Sequence, residues 1–331
     1  MSSTPDVPTG PVLDVHSHAT LDLGNGLEAG TNLPVAVVPP WSVERALDIQ
    51  DEVGISSCIL SMPEAAIHGD DATNCARART VNEYLTEIRE QHPDRFGALA
   101  VLPLTTMDGA LDELRYALDT LGMDAVSLPT SVDNVYLGDS AYDPLFEELD
   151  RRAATVFVHP VQATASKAVS LGINQSMLEF PFDTTRMITN MIFSDAVRRF
   201  PKMNFIASHG GGTLPFLISR LMTLEPLTGA GPGRGKLTPD EILEGAGWFH
   251  YDLTAATSRV HLSALSEIVP PSRLLVGFDI PFMPVPTMRP AIASIAAWEG
   301  FEDDDVAAIL HGNAARLFPS VEARRLGTQA A

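Results

Sequence analysis

The stretch VLDVHSHAT, residues 12–20, is an alternating apolar run that ends in His16 and His18. In a β-strand, residues i and i+2 face the same side, so a strand ending this way sets two imidazoles side by side, each able to ligate a metal. A buried or solvated histidine pair has the same spacing, so the rest of the chain must decide.

Working outward, seven more short apolar runs follow: SSCILSMP (56–63), FGALAVLP (96–103), DAVSLPT (124–130), TVFVHPV (155–161), NFIASHG (204–210), FHYDLTA (249–255) and LLVGFDIP (274–281). Between them lie segments with apolar residues at helical spacing, among them SVERALDIQDEVG (42–54), DGALDELRYALDTLG (108–122), DPLFEELDRRA (143–153) and TTRMITNMIFSDAVRRF (184–200). Ser42 and Asp143 read as N-caps, and Gly54 and Gly122 as C-terminal stops. Eight strands apolar enough to be buried on both faces, alternating with helices, predict a (β/α)8 TIM-type barrel over residues 1–331 as one domain. No glycine-rich dinucleotide fingerprint follows any strand, and GAGPGRGKLTPD (229–240) misses the phosphate-loop spacing, so it reads as a flexible excursion.

Composition narrows the partners. A formal charge of −20 without a Lys/Arg cluster argues against nucleic acid and anionic membrane surfaces. Cys58 and Cys75 form no C-x-x-C pair, which disfavours a disulfide framework or a structural zinc site. No basic-then-apolar leader and no run of eighteen apolar residues is present, so a cytoplasmic protein is expected.

Barrel active sites form at the C-terminal ends of strands. Four of the nine histidines fall there: His16 and His18 on the first run, His159 on the fifth and His209 on the sixth; the eighth ends in Asp279. Three imidazoles and a carboxylate suit Zn²⁺, or Mn²⁺ if water completes the sphere, and the proposed ligands are His16, His18, His159 and Asp279. His209 leads into SHGGGTLPF (208–216), where consecutive glycines would let a substrate approach the backbone; it suits a general acid/base. His68, His92, His261 and His311 read as structural, and His250 begins its strand at the wrong end for a site. None of the three lysines, Lys167, Lys202 and Lys236, ends a strand, so neither a Schiff base nor a bridging carbamate is available. No G-x-S-x-G elbow occurs.

Taken together, DVHSH, WSVERALDIQDEVGISSCILSMP, RFGALAVLP, LGDSAYDPLFEEL, VFVHP, FIASHGGGTLPFLISRL, GFDIPF and GNAARLF resemble, in order and over nearly the whole chain, the aminocarboxymuconate-semialdehyde decarboxylase branch of the amidohydrolase superfamily. That branch also holds γ-resorcylate, 5-carboxyvanillate, isoorotate and 6-methylsalicylate decarboxylases. The resemblance implies loss of CO₂ from a small aromatic carboxylic acid with one metal ion and no organic cofactor. It also implies that His16, His18, His159 and Asp279 bind metal, that His209 is catalytic, and that the unit is a homodimer or dimer of dimers in which Arg220 reaches a neighbour's site. GFDIPF departs from the branch's Gly-Ser-Asp-Tyr/Phe-Pro pattern, so substrate preference does not transfer.

Removal of CO₂ leaves electrons on a ring carbon that must be protonated, and His209 and Asp279 are the candidate proton handlers. Trp41, Phe182 and Phe282, in loops after strands, could wall an aromatic pocket, and Arg186 could hold a carboxylate. The alternative chemistry is a metal-dependent hydrolase or hydratase acting on a lactone, amide or unsaturated acid.

Overall fold

The structure, a computed structural model, describes residues 9–21, 39–62, 68–161, 163, 171–228 and 235–327. The expected excursion at 229–240 therefore falls partly outside the described residues.

Eight parallel strands follow one another around a barrel: β1 (Leu13–His18), β2 (Ser57–Ser61), β3 (Phe96–Val101), β4 (Ala125–Pro129), β5 (Thr155–His159), β6 (Asn204–Ala207), β7 (His250–Asp252) and β8 (Leu274–Leu275). Hydrogen bonds from Val15 N to Val276 O (3.1 Å), Asp279 N to His16 O (2.7 Å) and His18 N to Ile280 O (2.6 Å) bring the last strand back to the first. A short antiparallel hairpin, Ser131–Val132 with Val135–Tyr136, follows β4.

The strands are apolar along their whole length because both faces are covered. Leu13, Val15, Ile59, Leu99, Ala125, Phe157, Ile206 and Leu275 fill the interior, and Ala314, Phe318 and Val321 of the C-terminal helices plug its base. The outward-facing residues pack against the helical ring. Phe157 is fully buried at the centre, and truncating such a ring to alanine costs about 3–5 kcal/mol.

Local signals account for the helix ends. Helix Val43–Val53 begins at Ser42, whose Oγ accepts from Arg45 N (3.1 Å), and stops at Gly54 with φ +91°. Gly122 (φ +61°) also lies at a stop, but helix Met107–Arg115 first widens into a π-turn over Tyr116–Thr120. Asp143 is not an N-cap. A 3-10 turn at Ser140–Tyr142 feeds the helix Asp143–Arg151 in helical geometry, and the Asp143 carboxylate pairs instead with Arg199 (2.6 Å). Among the described residues no helix is long and apolar enough to cross a membrane.

Candidate metal centre and active site

At the C-terminal mouth of the barrel, His16, His18, His159 and Asp279 each bring one ligand atom to within 4.8 Å of the others. Strand alternation alone would not do this. Leu13 and Val15 already face the interior, and an irregularity in the β1–β2 register between Asp14 and Ser17 turns His16 inward as well, its ring 4.9 Å from Phe157. The buried Asp14 carboxylate braces this bulge, accepting from Ser17 Oγ (2.5 Å), His16 N (2.9 Å) and Phe278 N (3.1 Å), while burial pushes its pKa up to about 7.

Partners on the far side of each ring settle which nitrogen faces the centre. His16 Nδ1 donates to Asp252 Oδ2 (3.0 Å), with Thr254 Oγ1 at 3.2 Å. Ser61 Oγ donates to the Ser17 carbonyl (3.3 Å) and so accepts from His18 Nδ1 (3.0 Å). Both Nε2 atoms then carry lone pairs, yet they stand 3.1 Å apart, with Asp279 Oδ1 at 3.6 Å from His16 and 3.1 Å from His18. Converging lone pairs and a carboxylate are a donor set that a cation stabilises. Buried Asp279 Oδ1 and His159 Nδ1 have no hydrogen-bond partner among the described residues, which fits the same conclusion. The four residues suit one divalent metal ion.

The electrostatics run the same way. Burial lowers the His16 pKa, and burial plus the neighbouring histidines hold that of His159 well below the imidazole range. For Asp279 burial works upward but is outweighed by His16, His18 and His209, leaving the carboxyl well below its usual range. His209 is the exception: burial opposes its charge, yet the nearby carboxylates of Asp279 and Asp252 raise its pKa.

His209 stands beside the cluster with Nε2 3.8 Å from Asp279 Oδ2, its ring centroid 5.0 Å from that of His16 and 5.7 Å from that of His159. His209 (φ +54°) and Asp279 (φ +55°) both hold left-handed backbone conformations, which cost a non-glycine residue about 1–3 kcal/mol and concentrate at functional sites. The glycines after His209 are required by the protein's own packing. A Cβ on Gly210, Gly211 or Gly212 would stand 2.5 Å from His261, 2.5 Å from Tyr251 and 2.0 Å from the Pro181 carbonyl.

The expected pocket residues divide. Phe282 lies with its ring 5.6 Å from His18. Phe182 is not in a loop: it sits in helix Glu179–Phe193, 37% exposed. Phe180, two residues earlier and therefore about 200° around the helix, takes the inward position, 5.6 Å from His159. Trp41 is half-buried against the core just before the first helix. Arg186 is exposed and lies beside Tyr136 and Asp183. Arg220 is exposed in the second turn of helix Leu214–Thr228. Sequence reasoning also missed Asp252, although the signal was present: His250 marks the wrong end of β7, and two residues on, the same face reaches the right end.

Residues 59–320 match the family model described as Amidohydrolase. The chain belongs to the amidohydrolase family. It is 31% identical over 322 residues to 6-methylsalicylic acid decarboxylase of Penicillium expansum, covering 94% of this chain and 97% of that protein. It is 33% identical over 326 residues to 6-methylsalicylic acid decarboxylase acuB of Aspergillus aculeatus, covering 94% and 96%. The amidohydrolase barrel also superposes on a dihydroxybenzoic acid decarboxylase from Polaromonas sp. JS666, solved with bound manganese and 2-nitroresorcinol, with a TM-score of 0.80, 21% identity and coverage of 96% and 98%.

Proposed function

We infer that this amidohydrolase is a metal-dependent, non-oxidative decarboxylase that releases CO₂ from a small aromatic acid of salicylate type. The observation that carries the reading is the convergence of three imidazoles and Asp279 beside a separately held His209, in a chain 31–33% identical over nearly its whole length to 6-methylsalicylic acid decarboxylases.

His16, His18, His159 and Asp279 would hold the ion, zinc by the preference of an N₃O set, manganese being the alternative and the ion in the Polaromonas neighbour. A bound divalent cation supplies positive charge that draws a carboxylate and offsets charge developing on the phenolic oxygen. The remaining work falls to side chains. Phe180 and Phe282 flank the cluster on its His159 and His18 sides and suit the faces of an aromatic ring. His209 and Asp279, in contact with each other, handle the proton that replaces CO₂ on the ring carbon: one proton enters, one C–C bond breaks, and the bonding pair stays with the ring.

We also propose a homodimer in which Arg220 serves the partner's site, since its exposed position two turns out on the helix suits a neighbour better than its own cluster. Subunit exchange between His209→Ala and Arg220→Ala should then restore partial activity. The reading itself is tested by incubating metal-loaded enzyme with a panel of salicylates and lactones. CO₂ with the decarboxylated phenol is the expected product, and lactone opening without CO₂ overturns it.

A further inference from the structure

We propose that His261, on helix Arg259–Ser266, is a positioning residue for His209. It holds the left-handed turn from which the His209 imidazole is presented to Asp279.

The turn is unusual in its backbone. Four consecutive residues, His209, Gly210, Gly211 and Gly212, have φ of +54°, +62°, +73° and +65°. Two of its carbonyls are used internally, Ser208 O by Gly211 N (3.1 Å) and His209 O by Gly212 N (3.0 Å). The next carbonyl, that of Gly210, is met by His261 Nε2 at 3.3 Å. A carbonyl only accepts, so Nε2 carries the proton; burial lowers the His261 pKa and keeps the ring in this neutral donor form.

His261 is itself fixed at several points. Its backbone N–H donates to the N-cap Ser258 Oγ (3.3 Å), and its ring packs edge-on against Phe216 at 5.5 Å, a residue of the helix that leaves the turn. At the other end, Thr213 N donates to Thr185 Oγ1 (2.8 Å). A neighbouring helix thus reaches across to a carbonyl that no bond within the turn satisfies, adjacent to the strained residue whose side chain does the chemistry. Gly210 lacks a Cβ for this reason: the His261 ring occupies that space.

The assignment uses the proposed role of His209, so the test needs one readout that depends on the reaction and one that does not. His261→Leu keeps bulk and loses the donor; His261→Gln keeps a side-chain N–H. With metal content equal to wild type, Leu should lower kcat by about 10–10²-fold, the range that misplacement of a catalytic group commonly costs, with KM unchanged, and Gln should recover much of the loss. Independently of any substrate, His261→Leu should speed hydrogen exchange at Gly211, Gly212 and Thr213, and Gln should restore protection. If Leu and Gln behave alike, or exchange across the turn is unchanged in Leu, His261 is a packing residue only and the proposal fails. A wild-type enzyme that turns over no aromatic acid removes the decarboxylase reading, while the exchange result still decides the positioning.

Discussion

The two ends of strand β7 make opposite uses of polar side chains only two residues apart. At the base, His250 is buried against the Arg273 guanidinium, and burial with the charges of Arg273 and Arg316 pushes its pKa down to about 3. Around it the polar groups are paired off: Asn313 Nδ2 caps the carbonyls of Leu274 (2.8 Å) and Pro271 (2.9 Å), Thr155 Oγ1 caps Leu317 O (3.0 Å), and Asp124 is held by Arg324 and Ser320. At the mouth, Asp252 orients His16, but His159 Nδ1, His209 Nδ1, Ser208 Oγ and Asp279 Oδ1 are buried without partners among the described residues. Buried polar atoms are ordinarily satisfied. The base spends its polar groups on closing the barrel, and the mouth keeps them available for a ligand.

The strongest way to break this contrast is to remove a proposed ligand. His16→Ala and His159→Ala should each lose bound metal and all measurable CO₂ release, read by elemental analysis and product assay; retention of both by either variant removes the metal centre as described.

His209→Ala separates acid/base chemistry from ligation within the mouth. Full metal content with turnover reduced by about 10²–10⁴-fold is expected, whereas loss of the metal moves His209 among the ligands.

Asp252→Asn sharpens the contrast along β7 itself. An amide can no longer hold the His16 Nδ1–H as a carboxylate does, and metal affinity measured by chelator competition should fall by about 10–100-fold.

His250→Gln is the smallest change and concerns only the base. A histidine kept neutral by the fold takes up a proton on unfolding, so its contribution is full above the unfolded pKa of about 6.5 and declines as pH falls toward its folded value of about 3. Through that window wild type should lose up to about 1.4 kcal/mol per pH unit from this group. Urea titrations at pH 7 and pH 5 should show a shallower loss in His250→Gln with turnover at pH 7 unchanged. An equal loss in both proteins contradicts the buried neutral histidine.

Much was legible in the residues alone, for a local reason. Strand alternation, helical spacing, Ser42 and Gly54 at helix ends and the clustering of His16, His18, His159, His209 and Asp279 at strand termini are all set by near neighbours in the chain. What needed the tertiary structure depends on partners far away in sequence. The bulge that turns His16 inward is braced from Phe278, 264 residues from Asp14, and the tautomer of His16 is set by Asp252, 236 residues on. The choice of Phe180 over Phe182 follows from the phase of a helix that starts five residues before TTRMITNMIF suggested, and the left-handed turn at His209 is completed by His261 from another helix. A sequence states which side chains reach the mouth of the barrel. Only the closed barrel decides which of their atoms point inward, because those orientations are fixed by hydrogen bonds between strands and helices that the chain order leaves apart.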